Sequence, residues 1–155
     1  MQGQAAVIDA LNALLAGELA ARDQYLFHAH VLADAGLARI AARIAHESTD
    51  EAAHAEVLIQ RILMLGGLPR MVPAALNVAT DLPTMLANDL AVEVQVAQHL
   101  REVIALCETQ RDYVTRDLLL PLLIDTEQDH AHWLEQQLRL IQQLGLPHYL
   151  QSQQG

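Results

Sequence analysis

The chain is poor in cysteine, in aromatic residues and in basic residues, and each shortage narrows its possible functions. Cys107 is the only cysteine, which excludes an intrachain disulfide framework and leads us to expect a reducing, cytoplasmic location. Nine Lys and Arg stand against 19 Asp and Glu, giving a formal net charge of −10. That charge argues against binding nucleic-acid phosphates and suits a protein that attracts cations, although it can also serve solubility alone.

Long apolar runs and targeting segments are also missing. The longest unbroken apolar run, at residues 118–124, is far too short to span a bilayer. The N-terminus has no basic stretch followed by an apolar one, so we expect no signal peptide. With 155 residues and 52% hydrophobic residues, the chain is long enough for a core, and we predict one domain over residues 1–155.

Apolar residues recur at steps of three and four in four segments, which predicts four long helices. Aromatic residues make up only 3% of the chain, which also favours helices over strands. Gly36, Gly66 and Gly145 end the first, second and fourth helices, and Asp81 is the predicted N-cap of the third. A short fifth helix is expected near residues 148–153.

Residues 67–80 carry two prolines and no clear period, so they are predicted to connect two antiparallel hairpins. The fold class is therefore an all-α four-helix bundle with one long crossover. The two halves of the chain each carry two glutamates at nearly the same spacing: Glu18 precedes Glu51 by 33 residues, and Glu93 precedes Glu127 by 34. Pro121 lies in the longer interval, so we expect a kink or π-bulge near residues 117–122 that absorbs the extra residue.

Two Glu-x-x-His motifs dominate the chemistry of the sequence, and each follows a lone glutamate in an apolar helical stripe. An apolar stripe excludes charge unless a metal or another partner compensates it. Residues three apart project from one helix face, so both side chains of a motif can bind one metal. The pattern predicts a dinuclear site for iron or manganese, with Glu51 and Glu127 as bridges. Its six ligands are Glu18, Glu51, His54, Glu93, Glu127 and His130.

A single Glu-x-x-His is weak evidence, because chance gives roughly half a motif in a chain of this size. One motif alone would be better interpreted as a surface pair of residues. Two motifs at corresponding places of a repeated hairpin, each with a buried glutamate at a matching offset, are much harder to reach by chance. We therefore interpret the full set as a metal centre.

Other residues leave alternatives open. His46 and Asp50 lie beside the stripe and either hold a further metal or, by default, remain solvated. Tyr25 either hydrogen-bonds a ligand carboxylate, donates an electron or is a core tyrosine with a satisfied hydroxyl. Cys107 is expected to be a small buried apolar residue. The remaining histidines are predicted to lie at the surface or an interface: His28, His30, His99, His132 and His148.

At these residues the chain resembles the bacterioferritins over nearly its whole length. The opening MQGQAAVIDALNALLAGELAARDQYLFHAH, the segments HESTDEAAHAEVLIQRIL and LREVIALCETQRDYVTRD, and the final DTEQDHAHWLEQQLRLIQQLGLPHYLQSQ all follow that family's pattern. The resemblance implies a ferritin-like bundle and a hollow shell of 24 subunits that oxidises ferrous iron and stores ferric mineral. It implies the same six di-iron ligands, an inner-surface iron site at His46 and Asp50, and a place for Tyr25 near the di-iron centre.

The chain departs from the family at the position of its haem ligand. The family holds haem iron with a methionine directly after the glutamate of the second helix, and here that position is Ala52. Haem is therefore not expected in a homo-oligomer. The extra residue before Glu127 is a second departure, and together they resemble the haem-poor branch, whose subunits in some cases co-assemble with a haem-binding sister chain.

The sequence thus predicts an iron-storage ferroxidase that uses iron(II) and O₂ or H₂O₂, with no membrane or nucleic-acid partner. One rival is a rubrerythrin-like di-iron oxidase or peroxidase without storage, but the sequence has no Cys-rich electron-transfer segment. A second rival is an inactive structural subunit of a mixed shell, against which the intact ligand set argues.

Overall fold

The computed structural model describes all residues 1–155, and its regular structure is entirely helical. The elements are α1 (Ala5–Asp34), α2 (Ala38–Met64), α3 (Leu82–Thr109), α4 (Tyr113–Ile124), a π-helix (Asp125–Ala131), α5 (His132–Leu144) and α6 (Leu146–Ser152). The segments α4, π-helix and α5 follow one another without a break. We call the four long segments of the bundle rods: α1, α2 and α3 are the first three, and α4, the π-helix and α5 together are the fourth rod. The predicted all-α four-helix bundle with a short C-terminal helix is confirmed.

The helix boundaries lie at glycines and at capping aspartates that are recognisable in the sequence. Gly36 follows α1 with a φ of +84°, and Gly145 follows α5 with a φ of +80°, a region that glycine enters without steric cost. Asp81 caps α3, because its side chain accepts a hydrogen bond from the Thr84 N–H at 3.1 Å. Asp112 caps α4 in the same way through the Thr115 N–H at 3.0 Å.

The crossover between α2 and α3 runs along α1, in the same direction as that helix. The Arg70 N–H donates to Asn12 Oδ1 at 2.8 Å, and the Ala74 N–H donates to the Ala16 carbonyl at 2.9 Å. Because successive crossover residues pair with successive turns of α1, the segment travels the length of the bundle. It therefore joins two antiparallel hairpins, as expected.

His28 lies beneath this crossover and is fully buried within the chain, so its predicted position at the surface or an interface is wrong. Its Nε2 accepts from the Ala79 N–H at 3.0 Å, which leaves Nδ1–H to donate to Asp89 Oδ1 at 2.9 Å. Gln24 Nε2 donates to the same carboxylate oxygen at 2.8 Å. The helical period of α1 could not reveal that a distant connection covers this face.

The core consists of two apolar clusters, one toward each end of the bundle. One cluster includes Leu15, Leu58 and Leu122, together with Cys107, which is buried as predicted. The other includes Leu32, Ile40, Ile44, Leu86 and Leu134. On every rod the positions between the two clusters hold buried polar residues, which form a layer across the middle of the bundle. No helix combines the length and the apolarity needed to cross a bilayer.

The extra residue of the second hairpin is absorbed in the π-helix at Asp125–Ala131, later than the expected 117–122. Leu119 and Leu122 before it are anchored in one apolar cluster, and Leu134 after it is anchored in the other. Displacing any of them would remove a buried leucine from the core. The extra residue is therefore accommodated in the polar layer between these anchors, and Pro121 stays inside α4.

Candidate metal centre

Five of the six predicted ligands meet in the polar layer. α1 supplies Glu18, α2 supplies Glu51 and His54, α3 supplies Glu93, and the π-helix supplies His130. All five side chains are buried. They come from all four rods, so the site exists only when the bundle is assembled.

The five residues form two triads that share one member. Ligand atoms of Glu18, Glu51 and His54 lie within 4.8 Å of one another, and those of Glu51, Glu93 and His130 do so as well. The two imidazole rings stack with their centroids 5.9 Å apart. This arrangement can hold two cations, each with its own histidine and terminal carboxylate, and with Glu51 between them.

Both imidazoles turn Nδ1 toward the inner carboxylates. His54 Nδ1 lies 3.3 Å from Glu18 Oε2 and 3.5 Å from Glu51 Oε2. His130 Nδ1 lies 2.9 Å from Glu51 Oε1 and 3.4 Å from Glu93 Oε1. The two Nδ1 atoms are therefore the nitrogens placed to bind metal.

The opposite nitrogens face a second set of acids, Asp50 and two residues that no sequence motif marked, Glu47 and Asp125. His54 Nε2 lies 2.8 Å from Asp125 Oδ2, and His130 Nε2 lies 2.6 Å from Glu47 Oε2 and 3.2 Å from Asp50 Oδ2. Glu47 had a signal in the sequence, since it lies one turn before Glu51 in the same stripe. Asp125 had none.

Electrostatics in the layer favour cations. Burial and the nearby negative charge of Glu51 raise the pKa of Glu18 well above its usual range, and burial also raises the pKa of Glu93. Burial alone would lower the pKa of His54, but the adjacent carboxylates of Glu18 and Glu51 outweigh burial and raise it to about 11. The centre thus holds protons where a metal would otherwise balance the carboxylates.

Three carboxylate oxygens in the centre have no hydrogen-bond partner: Glu18 Oε1, Glu51 Oε2 and Glu93 Oε2. Leaving such atoms buried and unpaired costs free energy, and bound cations would remove that cost. A set of carboxylate oxygens and imidazole nitrogens suits iron or manganese better than a metal that prefers thiolates. The residues present therefore fit a pair of iron or manganese ions.

Glu127, the predicted second bridge, does not join the cluster. Its side chain is 41% exposed and accepts a hydrogen bond from the Arg101 guanidinium on α3. In a π-helix the hydrogen bonds join residues five apart, so a residue three before His130 no longer lies on the face of His130. The expected convergence of all six side chains is not seen, and a ligand role for Glu127 stays a prediction.

Comparison with known proteins identifies the family of this chain. Residues 8–144 match the ferritin-like domain of the ferritin family. The chain belongs to the ferritin family. It is 53% identical over 153 residues to a bacterial ferritin of Neisseria meningitidis serogroup B and 52% identical over 153 residues to one of Pseudomonas aeruginosa, with 99% of both chains covered in each case. It is 38% identical over 146 residues to a bacterioferritin of Mycobacterium leprae, covering 94% of this chain and 91% of the other.

Within this ferritin-family bundle, Tyr25 touches the centre directly. Its buried hydroxyl donates a hydrogen bond to Glu93 Oε1, and its ring meets the His130 ring edge-on with centroids 6.4 Å apart. Burial, and then the charge of Glu93, raise the pKa of Tyr25 well above its usual range, so the hydroxyl keeps its proton. Of the three alternatives, the hydrogen bond to a ligand carboxylate is the contact present, and electron donation stays a prediction.

His46 and Asp50 lie on the outer side of the same layer. The His46 side chain is 63% exposed, and its Nε2 lies 3.5 Å from Asp50 Oδ2. Asp50 also belongs to a group of four potential ligands with Glu47, Asp129 and His130. Because Asp50 faces His130 as well as His46, it links the surface to the centre, and iron binding at His46 and Asp50 stays a prediction.

Ala52 is exposed on α2, directly after the shared Glu51. Its methyl group has no atom that can bind haem iron. The expectation that a homo-oligomer of this ferritin lacks haem held by two methionines stays a prediction, and an absorption spectrum of the purified protein tests it.

Proposed function

We propose that this chain is a ferroxidase that oxidises Fe²⁺ at the two triads and stores the ferric product inside a shell built from copies of itself. Family membership supports iron storage as the general function. The observation that supports the ferroxidase proposal is the pair of triads that share Glu51. Two metals that share a carboxylate are close enough to deliver two electrons to one oxidant.

The residues of the centre act by binding and by charge. Each triad offers one imidazole Nδ1 and carboxylate oxygens to one Fe²⁺. The two iron ions each lose one electron to O₂, which takes up two protons and leaves as H₂O₂; H₂O₂ as oxidant would instead leave as two waters. The anionic carboxylates of Glu18, Glu51 and Glu93 stabilise the higher charge of Fe³⁺. Burial keeps bulk water away while this occurs.

Assembly into a closed shell completes the proposal. The ferritin family usually forms a 24-mer, and we propose the same number of copies here. The formal net charge of −10 per chain attracts Fe²⁺ to the shell. A mixed shell with a haem-binding sister chain is the alternative assembly, and the protein expressed alone distinguishes the two.

Three measurements on the purified protein test the proposal. Light scattering should give the mass of a 24-mer, and an anaerobic Co²⁺ titration followed by visible absorption should end at two ions per subunit. Stopped-flow absorbance after mixing with Fe²⁺ and O₂ should show rapid oxidation. Binding of fewer than two ions, or oxidation no faster than in buffer, contradicts the ferroxidase. Rapid oxidation without retained mineral would indicate an oxidase without storage.

A further inference from the structure

Both imidazoles of the centre turn their outer nitrogen toward acids, which come from α2 for His130 and from the π-helix for His54. Each ring turns Nδ1 inward and Nε2 outward. Nε2 of His130 is hydrogen-bonded with Asp50 Oδ2, on α2, at 3.2 Å, and Glu47 Oε2 lies 2.6 Å from the same nitrogen. Asp125, on the π-helix, faces Nε2 of His54 at 2.8 Å, and this contact joins residues 71 positions apart in the chain.

A histidine that binds a metal through one nitrogen generally donates its other ring N–H to a carboxylate or a carbonyl. That hydrogen bond fixes the tautomer, so the lone pair stays on the nitrogen that binds the metal. The distance between His54 Nε2 and Asp125 Oδ2 is that of a direct hydrogen bond. His54 is therefore set with Nε2–H donating outward and Nδ1 facing Glu18 and Glu51.

The π-helix explains why Asp125 reaches this position. It stands five residues before His130, which is the spacing that the hydrogen bonds of a π-helix join. Thr126, four residues before His130, is fully buried, and its Oγ1 donates to the Leu122 carbonyl at 2.8 Å. Glu127 points away, to Arg101. Asp125 is consequently the acid of the fourth rod that contacts His54.

We propose that Asp125 is a positioning residue of the dinuclear centre: it holds the Nε2–H of His54 so that Nδ1 faces the metal. On the fourth rod, Asp125 is thus the acid in hydrogen-bond contact with His54, whereas the Glu-x-x-His pattern predicts Glu127 as a metal bridge. The proposal rests on the proposed binding of two metals. Because Asp125 touches His54 and not His130 at hydrogen-bond distance, it acts on one of the two metals.

Anaerobic Co²⁺ titration of the assembled protein tests the proposal, with d–d absorption as the readout. Asp125→Ala should weaken one of the two Co²⁺ ions by roughly 10–100-fold and leave the other unchanged, since loss of such an outer carboxylate typically costs that much affinity. Asp125→Asn keeps an oxygen that accepts from Nε2–H, so it should restore most of the affinity. The matched control is Asp117→Asn, on α4 with a side chain 64% exposed, and it should bind both ions like the parent.

The outcomes separate this proposal from the proposed function. If the parent protein binds fewer than two Co²⁺ per subunit, the dinuclear site itself fails. If the parent binds two and Asp125→Ala binds both with parent affinity, Asp125 does not position His54 and the proposal is overturned. A loss of both ions in Asp125→Ala, with melting and light scattering unchanged, also overturns it, because the contact with His54 alone would not weaken the ion held by His130. Weakening of one ion, with partial rescue in Asp125→Asn, supports it.

Discussion

The two hairpins carry the same order of acids and histidines, yet they deliver these side chains in different ways. In the first hairpin α1 and α2 are regular, and Glu18, Glu51 and His54 all reach the centre. In the second hairpin Glu93 and His130 reach it, while Glu127 faces Arg101. One inserted residue is the difference, and it changes which acid of the fourth rod contacts the centre.

The comparison shows that the directions of the side chains in a metal-binding motif depend on the type of helix that carries it. Glu-x-x-His places both side chains on one face only while the helix keeps the α-helical period. In the π-helix the Glu127 and His130 side chains of the same motif point in different directions. Asp125 contacts His54 although no motif marks it. Variants that change one hairpin at a time therefore test whether the inserted residue causes this difference.

The largest effect is expected from Glu51→Gln in the first hairpin. Glu51 belongs to both triads, so removal of its charge should weaken both metals and slow Fe²⁺ oxidation by roughly 10²-fold or more, beyond the loss typical of an outer carboxylate. Stopped-flow absorbance of the ferric product measures the rate. Glu56→Gln, exposed on the same helix, is the control and should oxidise iron like the parent.

The metal-free form of Glu51→Gln should melt no lower than the parent. The charge of Glu51 raises the pKa of Glu18, which is the mark of two buried carboxylates that repel each other. Differential scanning calorimetry of the metal-free shells compares the two. A parent-like oxidation rate in an intact Glu51→Gln shell would contradict the shared-ligand role of Glu51.

A smaller effect, confined to the second hairpin, is expected from deletion of Thr126. The deletion removes the surplus residue, so the fourth rod should return to a regular α-helix and bring Glu127 onto the face of His130. Glu127→Gln should then slow oxidation by roughly tenfold or more in the deletion background, as expected for a new ligand, and much less in the parent. Stopped-flow rates of the four proteins give this coupling directly.

Equal sensitivity to Glu127→Gln in both backgrounds would show that the π-helix does not decide the role of Glu127. A crystal structure of the deletion variant gives the independent check, because the backbone at residues 125–131 should follow α-helical hydrogen bonding. The deletion leaves the anchors Leu122 and Leu134 in place, so assembly by light scattering should be unchanged.

The smallest effect is expected from Tyr25→Phe. Tyr25 lies seven residues after Glu18, whereas the equivalent position after Glu93 is the core residue Leu100, so this hydroxyl belongs to the first hairpin alone. Its loss removes one hydrogen bond to Glu93 and should slow oxidation by about 2–10-fold. Tyr113→Phe, at an exposed tyrosine, is the control, and equal rates in both variants would contradict a role for the Tyr25 hydroxyl.

Most of the bundle could be predicted from the sequence, because interactions between neighbouring residues determine where its helices form and end. The helices, their glycine ends and the Asp81 cap depend on neighbouring residues, and the structure has them where the pattern indicates. The prediction for His28 was wrong because the residues that cover it, Ala79 and its neighbours, lie about 50 positions away. Asp125 was missed for a similar reason, since its partner His54 lies on another hairpin.

The apolar periodicity and the two Glu-x-x-His motifs were sufficient to place charged side chains in the middle of four apolar stripes and to predict six ligands in one buried cluster, of which five meet in the structure. Tertiary structure decided which acid of the fourth rod contacts that cluster. A helix can absorb one surplus residue at any of several turns, and local propensity hardly distinguishes them. Leu119 and Leu122 fix one side and Leu134 the other, so packing of the two apolar clusters places the π-helix at the metal centre and turns Asp125, rather than Glu127, toward His54.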